Sequence, residues 1–280
     1  MLIHTYYYGD AGFGDTIRSI YAYYIYCKLN DIPYYFYVED HPFEKCFEGQ
    51  NIPQIGNITF LIDNGSSVNN NTLKILELVK QKDKNFLLRS NVFEFMPFEK
   101  LGSYKKEFLE FLKISSIVKN RIKNLLEEVG IVGDYVSIHA RCGDNFMKNV
   151  NICCDKRIEN PFSEETENKF KILVEHFKKI PILFFSDNEQ LKKKFSEKYN
   201  VKILNTTIHH TTLNTPNKLD GCIDTVSEFF IIGNSKSVGI LSKSGIPYWA
   251  SYLLDKPLFQ VKNNKVVEYD KIEYFKEYHL

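Results

Sequence analysis

The sequence predicts an α/β protein built on parallel, doubly wound sheets. Two observations carry that prediction. A strand pattern, a glycine-rich turn and a helix pattern follow one another at the amino terminus, and beyond a break at GIVGD (130–134) short apolar runs alternate regularly with amphipathic helical segments. The composition agrees: 280 residues, 44% apolar and 25% charged, suffice for one large or two medium cores.

Taken in order, LIHTYYY (2–8) is β-branched and aromatic and reads as a strand. From about Asp15, residues Ile17, Ile20, Tyr21, Tyr24 and Ile25 share one helical face as far as residue 29. Gly12 and Gly14 thus fall where strand hands over to helix. Glycine there admits positive φ and close approach of another molecule, and the free N–H groups of the helix start attract negative charge. The plainer reading is a tight turn with Asp15 as an ordinary N-cap. Runs over 33–38 and 58–62 read as strands, DNGSSVNNNT as a polar loop, and 72–129 as dominantly helical. The break at 130–134 sets the expected boundary between an amino-terminal domain, 1–131, and a carboxyl-terminal one, 132–280. Beyond it, strands are expected over 135–140, 182–185, 201–204, 237–241 and 258–261. Helices are expected over 164–179, 220–233 and 246–254, with a lysine-rich helix opened by Asp187 and Gln190 as its capping-box partner.

A net charge of +1 with interspersed acids and bases argues against a nucleic-acid groove. The clusters KQKDK around Lys82 and KKK at Lys192–Lys194 read as solvated helix faces. No apolar run approaches membrane-spanning length, and the amino terminus lacks the basic and apolar regions of a signal peptide, so the expected location is cytoplasmic. The six cysteines form no CxxC and no zinc spacing, which predicts reduced thiols.

Parallel sheets bind ligands beyond the carboxyl ends of their strands, so the loops after Ala140, Phe185 and Leu241 are the places to search. In SIHARCGD (137–144), Arg141 at a strand end can fork onto a phosphate or carboxylate; the structural alternative is an Arg141–Asp144 ion pair, with His139 as a satisfied core residue. In FFSDNE, Asp187 either caps a helix or accepts from a nucleoside. In GILSKSGIPYW, residues Ser242, Lys243 and Ser244 precede a helix start suited to a pyrophosphate. GxxxxGK[ST] and GxGxxG are both missing, which disfavours nucleoside triphosphatases and nicotinamide enzymes. Asp-x-Asp is missing too, so a sugar-nucleotide chemistry here would lean on arginine, helix dipoles and hydroxyls in place of a metal ion.

These motifs resemble those of the fucosyltransferase superfamily that includes the α1,2-, α1,6- and protein O-fucosyltransferases. SIHARCGD is similar to its HxRRGD-like block, GFGDTIR to its amino-terminal glycine turn, ILFFSDNE to its second carboxyl-terminal motif, and 224–253 to its third, closest to the α1,2 branch. The resemblance implies a GT-B architecture of two Rossmann-like domains with a cleft between them. It implies inverting, metal-independent transfer from GDP-fucose, without a cofactor, to a glycan acceptor. Arg141 matches the arginine that grips the donor pyrophosphate, with Ser242, Lys243 and Ser244 by the phosphates, Asp187 near the nucleoside, and Gly12, Gly14, Arg18, His139 and Asp144 completing the donor side. Asp15 is the expected catalytic base and Asp10 its reserve, since inverting transfer needs a base within reach of the acceptor hydroxyl.

Two departures stand out. The second arginine of the block is Cys142, and the asparagine of the amino-terminal turn is Asp15. The Gly-Asp turn is also similar to that of the heptosyltransferases, which makes a heptosyltransferase-like enzyme one alternative; a non-catalytic carbohydrate- or nucleotide-binding protein is the other. The pair His209–His210 reads as a solvated loop.

Overall fold

The computed structural model describes residues 1–5, 12–37, 42–49, 52, 56–63, 70–90, 102–143, 160–207 and 218–270. The chain divides into two compact units, Met1–Ser115 and Ser116–Leu280.

In the first unit β1 (Leu2–Thr5), β2 (Tyr34–Tyr37), β3 (Ile58–Asp63) and β4 (Asn85–Ser90) form one parallel sheet in the order β2-β1-β4-β3. Helices α1 (Phe13–Leu29) and α2 (Asn70–Leu78) cover one face. There Tyr23, Cys27, Ile75, Leu76 and Val79 pack on Leu2, Phe86 and Leu88. The inner strand β4 interrupts the stretch over 72–129 that reads as helical from sequence. Its residues alternate strictly, with Phe86, Leu88 and Ser90 inward, but only over six residues flanked by charged helix formers, so the helical period dominated the wider window. The polar loop DNGSSVNNNT gives way to helix at Asn70. Two further helices, α3 (Lys105–Leu112) and α4 (Ser116–Glu128), precede the break at 130–134.

The second unit carries six strands: β5 (Val136–Ala140), β6 (Ile182–Ser186), β7 (Lys202–Ile203), β8 (Val238–Ile240), β9 (Leu258–Lys262) and β10 (Lys265–Glu268). Their order is β10-β9-β8-β5-β6-β7, with all pairs parallel except β9–β10. The short hairpin strand β10 was not expected from sequence. Helices α5 (Glu164–Phe177) and α6 (Glu189–Tyr199) bring Phe170, Leu173 and Phe195 onto Val136, Ile138 and Phe184. Helix α7 (Lys218–Asn234) packs against α4 and against α8 (Gly245–Leu253). The division therefore falls before α4, ahead of the GIVGD break: α4 shows a good break after it, but its apolar face and its Arg121 belong to α7.

Lys192 is not on a solvated face. It is buried, and its ammonium donates to the carbonyl of Leu204. Cys27, Cys46, Cys142 and Cys222 are free thiols. Among the described residues no helix is long and apolar enough to cross a membrane.

One buried titratable group ties the first sheet to α1. His4 is fully enclosed; its Nε2 lies 3.2 Å from the carbonyl oxygen of Ser90 and its Nδ1 2.9 Å from the Tyr34 hydroxyl. A carbonyl can only accept, so Nε2 carries the proton and Nδ1 faces Tyr34 as an acceptor. Burial pushes the pKa of His4 down to about 3 from an ordinary 6.5. The unfolded chain thus binds a proton below pH 6.5 that the folded chain refuses, and the contribution of His4 to stability, complete above that pH, is lost as pH falls toward 3 at up to about 1.4 kcal/mol per pH unit. Denaturation followed between pH 7 and pH 4 should therefore show a shallower loss of stability in His4→Gln than in the wild type; parallel curves would contradict this assignment.

Candidate functional site

The order of the second sheet fixes where a ligand belongs. From β5 the chain moves outward through β6 and β7, then returns to place β8 on the other side of β5. The topological switch point lies between β5 and β8, and in open α/β sheets ligands bind outside the carboxyl ends of the strands at such a point. Register sets the residues there: Ala140 pairs with Ser186 and His139 with Ile240, so Arg141, Asp187 and the Leu241–Ser244 turn leave the sheet side by side.

Hydrogen bonds join the three loops. The Arg141 guanidinium Nη1 donates to Oδ2 of Asp187 at 2.5 Å. The same carboxylate accepts from the N–H of Cys142 at 2.6 Å and from the N–H of Gly143 at 2.9 Å. Gly143 adopts φ 116°, a conformation open to glycine and hostile to a side chain, and this lets successive amides turn onto one carboxylate. From the other side, Ser242 Oγ accepts from the Arg141 N–H and donates to the Arg141 carbonyl, both at 2.8 Å. Arg141 is thereby fixed at its backbone by Ser242 and at its side chain by Asp187.

This arrangement corrects several sequence expectations. Asp187 does not cap α6; Asn188 does, its side chain accepting from the N–H of Leu191, and Gln190 has no capping-box role. The SDNE string offers two adjacent capping residues, and the one nearer the helix takes the cap. Ser242 grips the backbone of Arg141. Arg141 pairs with Asp187; the expected Arg141–Asp144 pair falls on Asp144, which lies outside the described residues, as do Asp10 and His209–His210. His139 is not a satisfied core residue. It is buried, and among the described residues its Nδ1 has no hydrogen-bond partner. Burial, with the neighbouring Arg141 cation, pushes its pKa down to about 3, so a neutral imidazole sits beside the arginine.

The third loop opens α8. Ser244 is its N-cap residue in extended conformation and makes no side-chain capping bond. Pro247 occupies the first turn, where a missing N–H costs nothing, so the helix start presents the amides of Gly245 and Ile246. Lys243 is half-buried in the same turn.

In the first unit, α1 begins at Phe13 behind Gly12 as the N-cap residue. Neither Gly12 nor Gly14 has positive φ: Gly12 is extended at φ −68° and Gly14 is helical, so the expectation of a left-handed glycine turn fails at both. Among the described residues a Cβ at Gly12 would meet no atom within 4 Å. Asp15 is not the cap either. It sits in the first turn, 40% exposed, and accepts from Nη2 of Arg18 at 3.0 Å, while Arg18 is almost wholly buried.

Sequence reasoning missed one further cluster in the second unit. Arg121 of α4 donates to Asp224 of α7 at 2.7 Å and to the carbonyl of Asn205 at 2.9 Å, and Asp224 also accepts from the N–H of Thr207 at 2.6 Å. These bonds hold the segment that leaves β7 at the same end of the sheet. The residues are far apart in sequence, and no local spacing announces the pairing.

With this geometry in place, known structures can be compared. No protein-family model and no curated protein sequence matches the chain. Among solved structures, NodZ α1,6-fucosyltransferase co-crystallised with GDP matches with a TM-score of 0.63 at 12% identity, covering 96% of this chain and 98% of that one; other NodZ structures are from Bradyrhizobium. A point mutant of Arabidopsis thaliana FUT1 in complex with GDP matches with a TM-score of 0.59 at 10% identity, over 94% of this chain and 72% of that one. POFUT1 in complex with GDP matches with a TM-score of 0.51 at 10% identity, over 92% and 97%. The chain has the GT-B-like fold of these fucosyltransferases. A fucosyltransferase fold accounts for two parallel-sheet units in one chain and for strand-end loops gathered at a switch point.

The clamp on Arg141 makes a testable demand. Asp187→Ala strips two buried amides of their acceptor and removes the carboxylate from a partly buried guanidinium, and should cost about 2–4 kcal/mol of stability, whereas Glu189→Ala, on the exposed start of α6, should change it by less than about 0.5 kcal/mol. Chemical denaturation of both variants measures the contrast, and equal effects would refute the clamp.

Proposed function

We propose that the chain is a glycosyltransferase that moves fucose from GDP-fucose to a glycan hydroxyl, with inversion and without a metal ion. The observation that carries the reading is the switch-point cluster, in which Arg141 is immobilised by Asp187 and Ser242 beside the amino terminus of α8. A guanidinium, two helix-start amides, Lys243 and the Ser244 hydroxyl form a donor set for a diphosphate, and they sit on a fold shared with enzymes crystallised with GDP. Asp187 acts by holding the arginine, and the neutral His139 and the half-buried Lys243 complete the donor side. Asp144 is assigned there by resemblance alone.

In the proposed reaction the acceptor oxygen bonds to the anomeric carbon as the bond from that carbon to the β-phosphate oxygen breaks. The hydroxyl proton passes to the Asp15 carboxylate, and the bonding pair leaves with GDP. Arg18, buried under Asp15, orients the carboxylate. Negative charge growing on the diphosphate meets Arg141 and the α8 start, which are already in place and need no reorganisation. A heptosyltransferase-like donor and a binding protein without transfer activity are the competing readings.

Calorimetry with EDTA present separates them. GDP and GDP-fucose should bind the wild type, and Arg141→Ala should weaken that binding by about 100-fold or more, with Arg141→Lys only a partial rescue because lysine lacks the planar fork. Binding of ADP-heptose in place of GDP would transfer the assignment to the heptosyltransferase reading, and binding abolished by EDTA would remove the metal-free claim. For the base, Asp15→Asn should lower turnover of GDP-fucose with an acceptor by about 100-fold or more while leaving GDP affinity within about twofold of wild type. Unchanged turnover would exclude Asp15.

A further inference from the structure

A cavity of about 650 Å³ opens in the first unit. Pro33 and Tyr34 at the beginning of β2 and Lys28 and Asp31 at the end of α1 line it, so it occupies the end of this sheet opposite to Thr5, Tyr37 and the α1 start. Lys28 stands 13 residues beyond Asp15, about 20 Å along the helix at 1.5 Å per residue. The volume falls within the range of small-molecule sites.

Its walls are of two kinds. Tyr24, Tyr34, Tyr35 and Phe111 supply aromatic surface, with the Phe111 ring 4.9 Å from that of Tyr24 and 5.6 Å from that of Tyr34. Lys28 and Lys113 line it together with Asp31 and Glu48, so the charged part of the lining is balanced. A phosphate or nucleotide would call for net positive charge, and a lipid tail for a lining without ions. Neutral sugar rings suit both walls, because their C–H faces stack on aromatic rings and their hydroxyls donate to carboxylates and accept from ammonium groups. The ion pairs on the rim do not oppose this: Lys28–Glu107 and Asp31–Lys82 are exposed, and such pairs contribute little, so their charged ends can turn to a ligand at small cost. Cys27 also lines the cavity, but burial raises its thiol far above neutrality and leaves it unreactive.

We propose that this cavity is a saccharide-binding site, at the opposite end of α1 from Asp15, that holds neutral sugar rings between the tyrosines and the Lys–Asp/Glu rim. That the bound rings belong to a non-reacting part of the acceptor glycan rests on the glycosyltransferase reading; the saccharide class itself rests on the cavity.

The test uses the full chain on an array of neutral oligosaccharides, with sulfated and sialylated ones and GDP as comparison probes. Tyr35→Ala removes an aromatic wall. Gly49→Tyr narrows the space, since among the described residues a Cβ at Gly49 meets no atom within 4 Å. The expected result is retention of a subset of neutral glycans by the wild type, reduced at least tenfold in both variants, with GDP affinity and melting temperature unchanged. Retention undiminished in both variants, a preference for the charged glycans, or no neutral glycan bound would each overturn the proposal. Because GDP affinity is read separately, failure of the donor site and failure of this cavity are told apart.

Discussion

A carboxylate enclosed by protein needs hydrogen-bond donors on both oxygens, and Asp187 obtains them from a single neighbouring turn. Its partners are the Arg141 guanidinium and the N–H groups of Cys142 and Gly143, while Ser242 reaches over from β8 to hold the Arg141 backbone. Three strand ends are thus bound to one another at the carboxyl end of the second sheet. The bond between β5 and β6 loops is charged and the bond between β5 and β8 loops is neutral, so the arginine is oriented from one side and anchored from the other. Preorganisation of this kind matters for diphosphate chemistry, because a cation already held in position gives its full electrostatic effect as charge develops.

Much of this was legible in the sequence, and the limits have physical causes. The second sheet could be read because its central strands β5, β6 and β8 are buried throughout and appear as short apolar runs between amphipathic helices; the resemblance to fucosyltransferase motifs also led to the right fold. The inner strand β4 of the first sheet was hidden, since NFLLRS is a short run whose inward residues Phe86, Leu88 and Ser90 alternate inside a lysine-rich, helix-like context. Arg141 and the Ser242–Ser244 turn were found by their position after strands. What they touch was not, because the Arg141–Asp187 and Arg121–Asp224 pairs join residues 46 and 103 positions apart, and no local periodicity encodes such contacts. The cap of α6 and the backbone of Gly12 and Gly14 went astray for a different reason: neighbouring residues of equivalent propensity competed, and only packing decided which took the role.

The second unit also shows how buried charge can organise loops beyond the donor cluster. Lys192, Arg121, Asp224 and Glu228 come from three helices and converge on residues 204–207 after β7. Glu228 is partly buried, and desolvation of its carboxyl raises its pKa, while Lys192 nearby acts in the opposite direction. Breaking any one of these pairs would leave its partner buried without compensation, so the segment after β7 is held more firmly than its short strand suggests. This network explains why α4 belongs to the second unit: its Arg121 is a member.

Cys142 shows what the chain does with the position where the resemblance leads one to expect a second arginine. Its N–H is committed to Asp187, its sulfur lies 3.5 Å from the Ser186 hydroxyl, and the side chain is buried. Burial, reinforced by the Asp187 carboxylate, pushes the thiol up to about 12, so it contributes neither positive charge nor a thiolate nucleophile. A guanidinium placed here would have to enter the pocket now filled by sulfur, beside Ser186 and under the turn that presents Arg141. Cys142 thus contributes a tight β5–β6 loop junction and no second cation, and under the proposed function compensation of a diphosphate at this strand end rests on Arg141 and the turn that opens α8.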